Sequence, residues 1–360
     1  MQPFSTQQHA LLSAVRTAAR GAGVDVYVVG GVVRDLLRGH IVGEKDFDFM
    51  VAGDAAAFAK MCRSFTGGEV REFPDFLTAK IVGPEKITGL AEIDFASSRT
   101  ETYARPGSLP TVRPGSLDED LRRRDFTINA LALPLPRLCE WVEAGAGDHG
   151  ALRAVVVDQH AGLKDLDERS IRILHPDSFR DDPTRIFRAV RYAVRLEGVI
   201  EPATAAALRG AVNGGGLKTV SPFRVVNELK KISAETEIAE AFGLLEGLGV
   251  LGALGLTPAP GMGVVEHDLK QMRTSGVPAA HRFEVVMRIL FAHLAGDRAG
   301  VFTELGFGKK QVRRFEAELD ATSEGLRGAN TSIAAIWHGV VRGVIAAGAA
   351  EAILRSRGEG

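Results

Sequence analysis

Two aspartates, Asp46 and Asp48, stand two positions apart in the run Asp46-Phe47-Asp48-Phe49. Side chains on a strand alternate between faces, so both carboxylates would share one face while Phe47 and Phe49 take the other. Like charges at that spacing repel, and divalent cations resolve the conflict. Carboxylate oxygens suit Mg2+, which keeps positions for water and substrate phosphates. A pair of such ions can activate an attacking hydroxyl and stabilise a departing pyrophosphate. Fifteen residues before Asp46 lies the second glycine of Gly30-Gly31, followed by Arg34 and Asp35. Glycines without Cβ atoms let the backbone come close to a phosphate, and a helix starting there offers N–H donors. Each feature has a plain alternative: a solvated acidic turn after Glu44-Lys45, and a tight strand-to-helix turn. Together they point to metal-assisted chemistry on a phosphate. Asp94 is either a third carboxylate on a neighbouring strand or a satisfied strand-end acid.

Such residues need a scaffold, and the pattern supplies one. Val24–Val29 reads as a strand ended by the glycines, and Val32–Arg38 as the helix after it. Phe47–Val51, Ala79–Val82 and Ala91–Ala96 are further strands, with Ala55–Ser64 a helix. Strands with interspersed helices indicate an α/β or α+β head. From about residue 165 strand signals nearly vanish. Ile186–Leu196, Pro202–Arg209, Pro222–Ile232 and Ala239–Leu248 are helical, with Pro202 and Pro222 where helices begin. A Pro/Gly linker, TPAPGMG, fills 257–263. The expected organisation is a head over 1–140, a neck over 141–200, a helical body over 201–257 and a helical tail over 258–360.

The 360 residues are 45% hydrophobic and carry a formal charge of −1, which argues against a polycationic nucleic-acid coat but not against a local basic groove. Cys62 and Cys139 are the only cysteines, excluding a disulfide scaffold and a multi-cysteine zinc site. Met1–Ala10 has no basic segment followed by an apolar run, so no targeting segment is expected. Ser332–Leu354 is the most membrane-like stretch, but His338, Arg342 and Glu351 interrupt it. These features lead to the expectation of a soluble, cytoplasmic chain with no membrane contact. Nothing in the sequence points to a protein partner.

GGVVRD (30–35) followed by DFD (46–48) resembles the head motif of the nucleotidyltransferase superfamily that includes DNA polymerase β. The GGxVRD form is similar to the class II tRNA nucleotidyltransferases, the CCA-adding enzymes, and to the bacterial poly(A) polymerases. The resemblance implies an α+β fold. A polymerase-β-like nucleotidyltransferase head, a small mixed sheet with helices, would be followed by an all-α neck, body and tail. Later motifs agree, in the family order over about residues 24–250. Arg122 to Ala130 resembles RRDFTxNA, and Asn129 falls within it. There Arg123 and Arg124 can clamp a triphosphate, and Asp125 can accept from a ribose hydroxyl. Asp158–Leu166 resembles the hinge motif D-x-x-G-G-x-x-D-L, with Ala161 in place of the first glycine. That replacement is expected to stiffen the turn slightly. Ser221–Leu229 resembles S-x-x-R-x-x-x-E-L and reads as structural, with Ser221 capping a helix and Arg224 paired with Glu228.

Asp181 to Arg185 resembles the motif written E-D-x-x-R. Its chemistry is informative. Cytosine and adenine both show an exocyclic amine beside an unprotonated ring nitrogen. A carboxylate, Asp182, accepts from the amine, and a guanidinium, Arg185, donates to the nitrogen. Uracil and guanine would leave both groups unpaired, and hydrogen-bonded sites reject such mismatches by roughly 10⁴–10⁵. Arg188, one helical turn on, is a candidate for a triphosphate or base contact. Residues 169–195 hold seven arginines and three aspartates, so some arginines would face phosphate and others pair with acids. In the tail, Lys309, Lys310, Arg313 and Arg314 could hold tRNA phosphates or line a solvated face.

The resemblance thus implies an enzyme that adds CMP and AMP to the tRNA 3′ end without a template. Its substrates would be ATP and CTP and its metal Mg2+, in a two-metal site held by Asp46 and Asp48. Gly30, Gly31, Arg34 and Asp35 belong to the nucleotide site. An A-adding enzyme or a poly(A) polymerase stands as the alternative. The full-length segment Arg99–Asp120 counts against a CC-adding enzyme, and the intact aspartates against a non-catalytic RNA-binding homologue.

Overall fold

A computed structural model describes residues 4–40, 47–87, 90–259, 261–274 and 277–326. The chain divides into two compact units, Met1–Ser178 and Phe179–Gly360. The first unit begins with α1 (Thr6–Ala22), β1 (Val26–Val29), α2 (Gly31–Leu37), β2 (Asp48–Val51), α3 (Ala55–Thr66), β3 (Glu69–Phe73), β4 (Thr78–Val82) and β5 (Glu92–Ser97). It continues with β6 (Arg99–Thr102), β7 (Thr111–Pro114), α4 (Leu117–Arg122), β8 (Leu131–Pro134), α5 (Leu135–Glu143), α6 (His149–Ala154), β9 (Val157–Asp158) and α7 (Gly162–Asp167).

Seven strands form one mixed sheet in the order β3-β4-β5-β2-β1-β8-β9, and β6 pairs with β7 as a separate hairpin. The β2–β5 pair is parallel, with Asp48 opposite Asp94, while β1–β2 is antiparallel with Val29 opposite Asp48. Alternation then sorts the two faces. On one, Phe49 and Phe95 stack at 5.6 Å, and Phe58 of α3 meets Phe95 edge-on at 5.3 Å. Phe47 stacks on Phe49 at 5.8 Å, so both phenylalanines of the acidic run enter the core. On the other face Val29, Met50, Ala130 and Ala132 pack with Leu121 of α4. Asp48 and Met50 are two apart, so this second face carries the acid. Ser116 and Glu119 form a reciprocal capping box that starts α4.

The mixed sheet with helices is the expected head. Five of its strands carry no clear signal in the sequence. β3 is an exposed edge strand rich in charge, and β8 and β9 are short and almost wholly apolar or only two residues long. The hairpin β6–β7 lies within the segment Arg99–Asp120.

The second unit is mostly helical. After α8 (Ser178–Asp181), which begins at the boundary, it comprises α9 (Arg185–Arg195), α10 (Pro202–Asn213), α11 (Pro222–Ser233), α12 (Ile238–Gly247) and α13 (Val250–Ala253). Beyond these come α14 (Met262–Thr274), α15 (Ala279–His293), α16 (Arg298–Glu304) and α17 (Lys309–Leu326). Pro202 and Pro222 occupy first-turn positions, as expected. Ser221 is the N-cap residue of α11, but its hydroxyl makes no capping hydrogen bond. Arg224 does not follow the expected pairing either: its carboxylate partner is Asp182, and Glu228 pairs with Lys231 and Arg191 instead. Among the described residues no helix is long and apolar enough to cross a membrane. The stretch Ser332–Leu354 lies outside them.

The turn before α7 carries the substituted motif. Ala161 stands at φ +58°, the left-handed region, where a side chain costs roughly 1–2 kcal/mol. The replacement therefore strains the turn rather than merely stiffening it. Asp158 holds the conformation by accepting from the backbone N–H groups of Gly162 and Leu163 at 2.8 and 2.9 Å. Gly162 is the position without room: a Cβ there would lie 2.3 Å from the Thr127 carbonyl oxygen. Gly162→Ala should therefore cost about 1–3 kcal/mol. Denaturant unfolding followed by circular dichroism would read this as a lower midpoint, and an unchanged midpoint would contradict the close packing.

Candidate active site

One row of residues crosses the sheet at a single level: Lys80, Asp94, Asp48, Val29 and Ala132. Cross-strand partners share a face, so the row changes from charged to apolar along its length. Leu121 covers the apolar end. At the charged end, Lys80 bridges Asp94 at 3.0 Å and Glu92 at 3.1 Å. The Asp94 hydrogen bond holds the Lys80 ammonium above the usual lysine range. Asp94 is thus placed beside Asp48 and is also engaged by a cation. Asp48 is exposed at the start of β2.

Gly30 sits directly beside Asp48. Its φ of +74° is a conformation that glycine adopts without penalty. A Cβ at Gly30 would lie 3.6 Å from both Asp48 Oδ2 and Arg124 Nη1. A stretch of bare backbone therefore has a carboxylate and a guanidinium at equal distance from it. Gly30 is also the N-cap of α2 and has no side chain to occupy the first N–H groups.

Behind this cradle runs a buried polar chain. Arg34 is only 2% exposed. Its guanidinium donates to both Asp35 oxygens at 2.9 Å and to Asn129 Oδ1 at 2.8 Å. Asn129 Nδ2 in turn donates to Asp125 Oδ1 at 3.0 Å, which also accepts from the Phe126 N–H. Gly31 lies against this chain, since its Cβ would fall 3.5 Å from Arg34 Nη2. Four residues singled out in two separate motifs are thus one connected unit.

The neighbouring arginines differ in placement. Arg123 donates to Asp120 Oδ1 at 2.7 Å and to Glu101 Oε1 at 2.7 Å. Arg124 donates to Asp120 Oδ2 at 2.8 Å, keeps its Nη1 toward Gly30, and has a buried Nε with no hydrogen-bond partner. Burial pushes the Asp120 carboxyl up, but the Arg124 and Arg123 charges outweigh it and leave it below the ordinary carboxylate value. Asp120 was not singled out from the sequence, although its spacing of three and four from the two arginines on a helix was a usable signal.

In the second unit, Asp182 lies in the turn before α9. Its Oδ1 accepts from the Thr184 N–H and hydroxyl at 3.1 and 2.7 Å and from Arg224 at 2.8 Å. Arg185 opens α9 and is 6% exposed. Arg188 donates to the Tyr192 hydroxyl at 3.1 Å and lies over its ring. Arg191 and Arg195 both pair with Glu235, which accounts for part of the arginine excess structurally. Far along the same unit, Lys309, Lys310 and Arg313 are exposed on α17, while Val312 and Phe315 are buried on its other side. Arg314 pairs with Glu318 at 2.9 Å.

Asp46 lies outside the described residues. Among the described residues no group of three His, Cys, Asp or Glu side chains could hold a metal ion. The donor set at Asp48 is nonetheless oxygen only, exposed, and adjacent to bare backbone, which fits a hard divalent cation sharing substrate phosphates. A cavity of about 700 Å³ lined by Gly53, Ser97, Ser98 and Ser116 lies at the other end of β2 and β5. Ser97 lies three residues along β5 from the level of Asp48 and Asp94, roughly 10 Å at about 3.3 Å per residue.

Residues 26–172 match the family described as Poly A polymerase head domain. An A-adding tRNA nucleotidyltransferase from Aquifex aeolicus is 44% identical over 218 residues, covering 61% of this chain and 24% of the relative. One from Halalkalibacterium halodurans is 40% identical over 239 residues, covering 66% of this chain and 51% of the relative. The chain spans about a quarter of the first relative and about half of the second. A solved tRNA nucleotidyltransferase complexed with a primer tRNA and an incoming ATP analog aligns with a TM-score of 0.66 at 32% identity. That alignment covers 88% of this chain and 87% of the other.

The polar chain makes a stability prediction. Asn129→Ala removes an acceptor from buried Arg34 and a donor from Asp125. A buried polar group left unsatisfied costs about 1–3 kcal/mol. Unfolding of the purified variant should show that loss, and wild-type stability would mean that the chain of bonds carries no energy.

Proposed function

The chain belongs to the family of class II tRNA nucleotidyltransferases and poly(A) polymerase heads, and we propose that it adds nucleotides to the 3′ end of tRNA without a template. The observation that carries this reading is the bare backbone at Gly30, with Asp48 and Arg124 both close to it. An incoming triphosphate approaches the backbone there, where no Cβ stands in the way. Arg124 donates to its phosphate oxygens, and Arg34 supports the site from behind Gly31. Asp125, oriented by Asn129, accepts from the ribose hydroxyl. Asp182 and Arg185 read the Watson–Crick edge of the base, with Arg188 one turn further on. Arg224 fixes the direction of the Asp182 carboxylate.

Asp48, with Asp46, would hold Mg2+, which when bound makes the primer hydroxyl a better nucleophile and offsets charge on the phosphate. The 3′-hydroxyl oxygen of the tRNA attacks the α-phosphorus in line, its proton passing to solvent. The bond from that phosphorus to the bridging oxygen breaks, and pyrophosphate leaves. Lys309, Lys310 and Arg313 offer exposed cations to RNA phosphates.

We assign AMP as the nucleotide added, to tRNA that already ends in CC. The two curated relatives that support this are A-adding enzymes. The broader expectation of CCA addition, using CTP as well as ATP, is narrowed accordingly. The Asp182–Arg185 pair suits adenine and cytosine alike, so exclusion of CTP belongs to other parts of the chain.

Single-nucleotide incorporation tests the assignment. The protein is given tRNA ending before CCA, tRNA ending in CC and a generic RNA, with each triphosphate separately. One AMP on the CC-ended tRNA alone is expected. Two CMP followed by AMP would restore CCA addition, and long A tails on generic RNA would make it a poly(A) polymerase. Asp48→Ala should lower incorporation by about a thousandfold or more, as loss of several kcal/mol of transition-state stabilisation does, with tRNA binding retained. Retained turnover would remove Asp48 from the metal site.

A further inference from the structure

Asp120 has no exposed side-chain surface, and the groups placed around its carboxylate are donors. Arg123 Nε and Nη2 reach Oδ1 at 3.0 and 2.7 Å, Arg124 Nη2 reaches Oδ2 at 2.8 Å, and the Arg99 backbone N–H reaches Oδ1 at 3.3 Å. α4 ends at Arg122, so the two arginines leave the helix at its C-terminal end, where cations are favoured. One carboxylate thereby binds both arginines of the motif to the last turn of α4 and to the first residue of the β6–β7 hairpin.

The consequence concerns direction. A guanidinium is a rigid planar fork, so holding one of its nitrogens fixes where the others point. With Nη2 on Asp120, Arg124 has its Nη1 3.6 Å from the point at Gly30 where a Cβ would stand. Asp48 Oδ2 is equally far from that point. Without Asp120 the fork could turn wholly toward Asp48. It would then neutralise the acid and withdraw the donor from the phosphate path. The geometry points to Asp120 as a positioning residue for triphosphate binding, holding Arg124 against Asp48 so that one donor edge stays turned to the Gly30 cradle. This rests on the reading of that cradle as a triphosphate site.

Burying a carboxylate is costly unless it is paired and hydrogen-bonded. A carboxylate that only braced α4 could be replaced by a neutral amide with an effect on stability alone. The positioning role instead makes a specific demand on affinity.

The test uses the full chain and ATP with Mg2+ as the probe, read by equilibrium titration, with tRNA binding measured alongside. Asp120→Asn should weaken ATP binding about tenfold, a loss of about 1.4 kcal/mol, and leave tRNA affinity within about twofold. In an Arg124→Ala background the same substitution should cause no further loss of ATP affinity. Unchanged ATP affinity in Asp120→Asn, or losses that simply add in the double variant, would overturn the role. If Asp120→Asn does not fold, Arg124→Lys keeps the charge and loses the fork. A loss of about tenfold in ATP affinity then supports positioning, and wild-type affinity overturns it. A wild-type chain that binds no ATP would instead refute the triphosphate site itself, so the two failures are distinguishable.

Discussion

The register of β2 between β1 and β5 is the constraint on which the site depends. Alternation along the strand has period two, so a slip of one residue would exchange the faces. Asp48 would enter the aromatic layer of Phe49, Phe58 and Phe95, and Phe49 would face the glycine turn. The hydrophobic stacking on one side thus determines the position of the acid on the other. Ring contacts on the face away from Asp48 add to the strand pairing that locks the register.

Around this fixed point the charges divide into two kinds. Some are consumed in holding the protein together. Arg123 is taken by Asp120 and Glu101, and Arg191 and Arg195 by Glu235. Others keep an edge turned outward, as Arg124 does toward Gly30. Position in the sequence does not separate the two kinds, since Arg123 and Arg124 are adjacent and fall in the same motif. What separates them is their further contact: both bond Asp120, but Arg123 also reaches Glu101 while Arg124 has its Nη1 near Gly30.

Much of the head was legible because its signals are local. The strand before Gly30-Gly31, the helix after it and the alternating Asp-Phe run depend only on near neighbours. The edge strand β3 was hidden by its charge, and β8 by an apolar run that does not distinguish strand from helix. The candidate residues were found by type and spacing, but their wiring was not. That Arg34 reaches Asn129, ninety-five positions away, follows only from the packing of α2 against the turn after Phe126. The Asp182–Arg224 pair escaped for the same reason: a nearer partner, Glu228, fitted the helical spacing, and tertiary contact overrode it.

The turn at Asp158 bears on how tightly a motif must be obeyed. Its carboxylate accepts from three backbone N–H groups, those of His160, Gly162 and Leu163. The conformation is therefore over-determined, and the left-handed residue at 161 is carried by its neighbours rather than creating the bend. Two adjacent glycines in such a motif then have unequal standing. One answers to torsion alone, a debt the surrounding bonds can absorb. The other answers to volume, against a carbonyl that cannot move aside. A sequence pattern that writes both with the same letter conceals a permissive site next to an intolerant one.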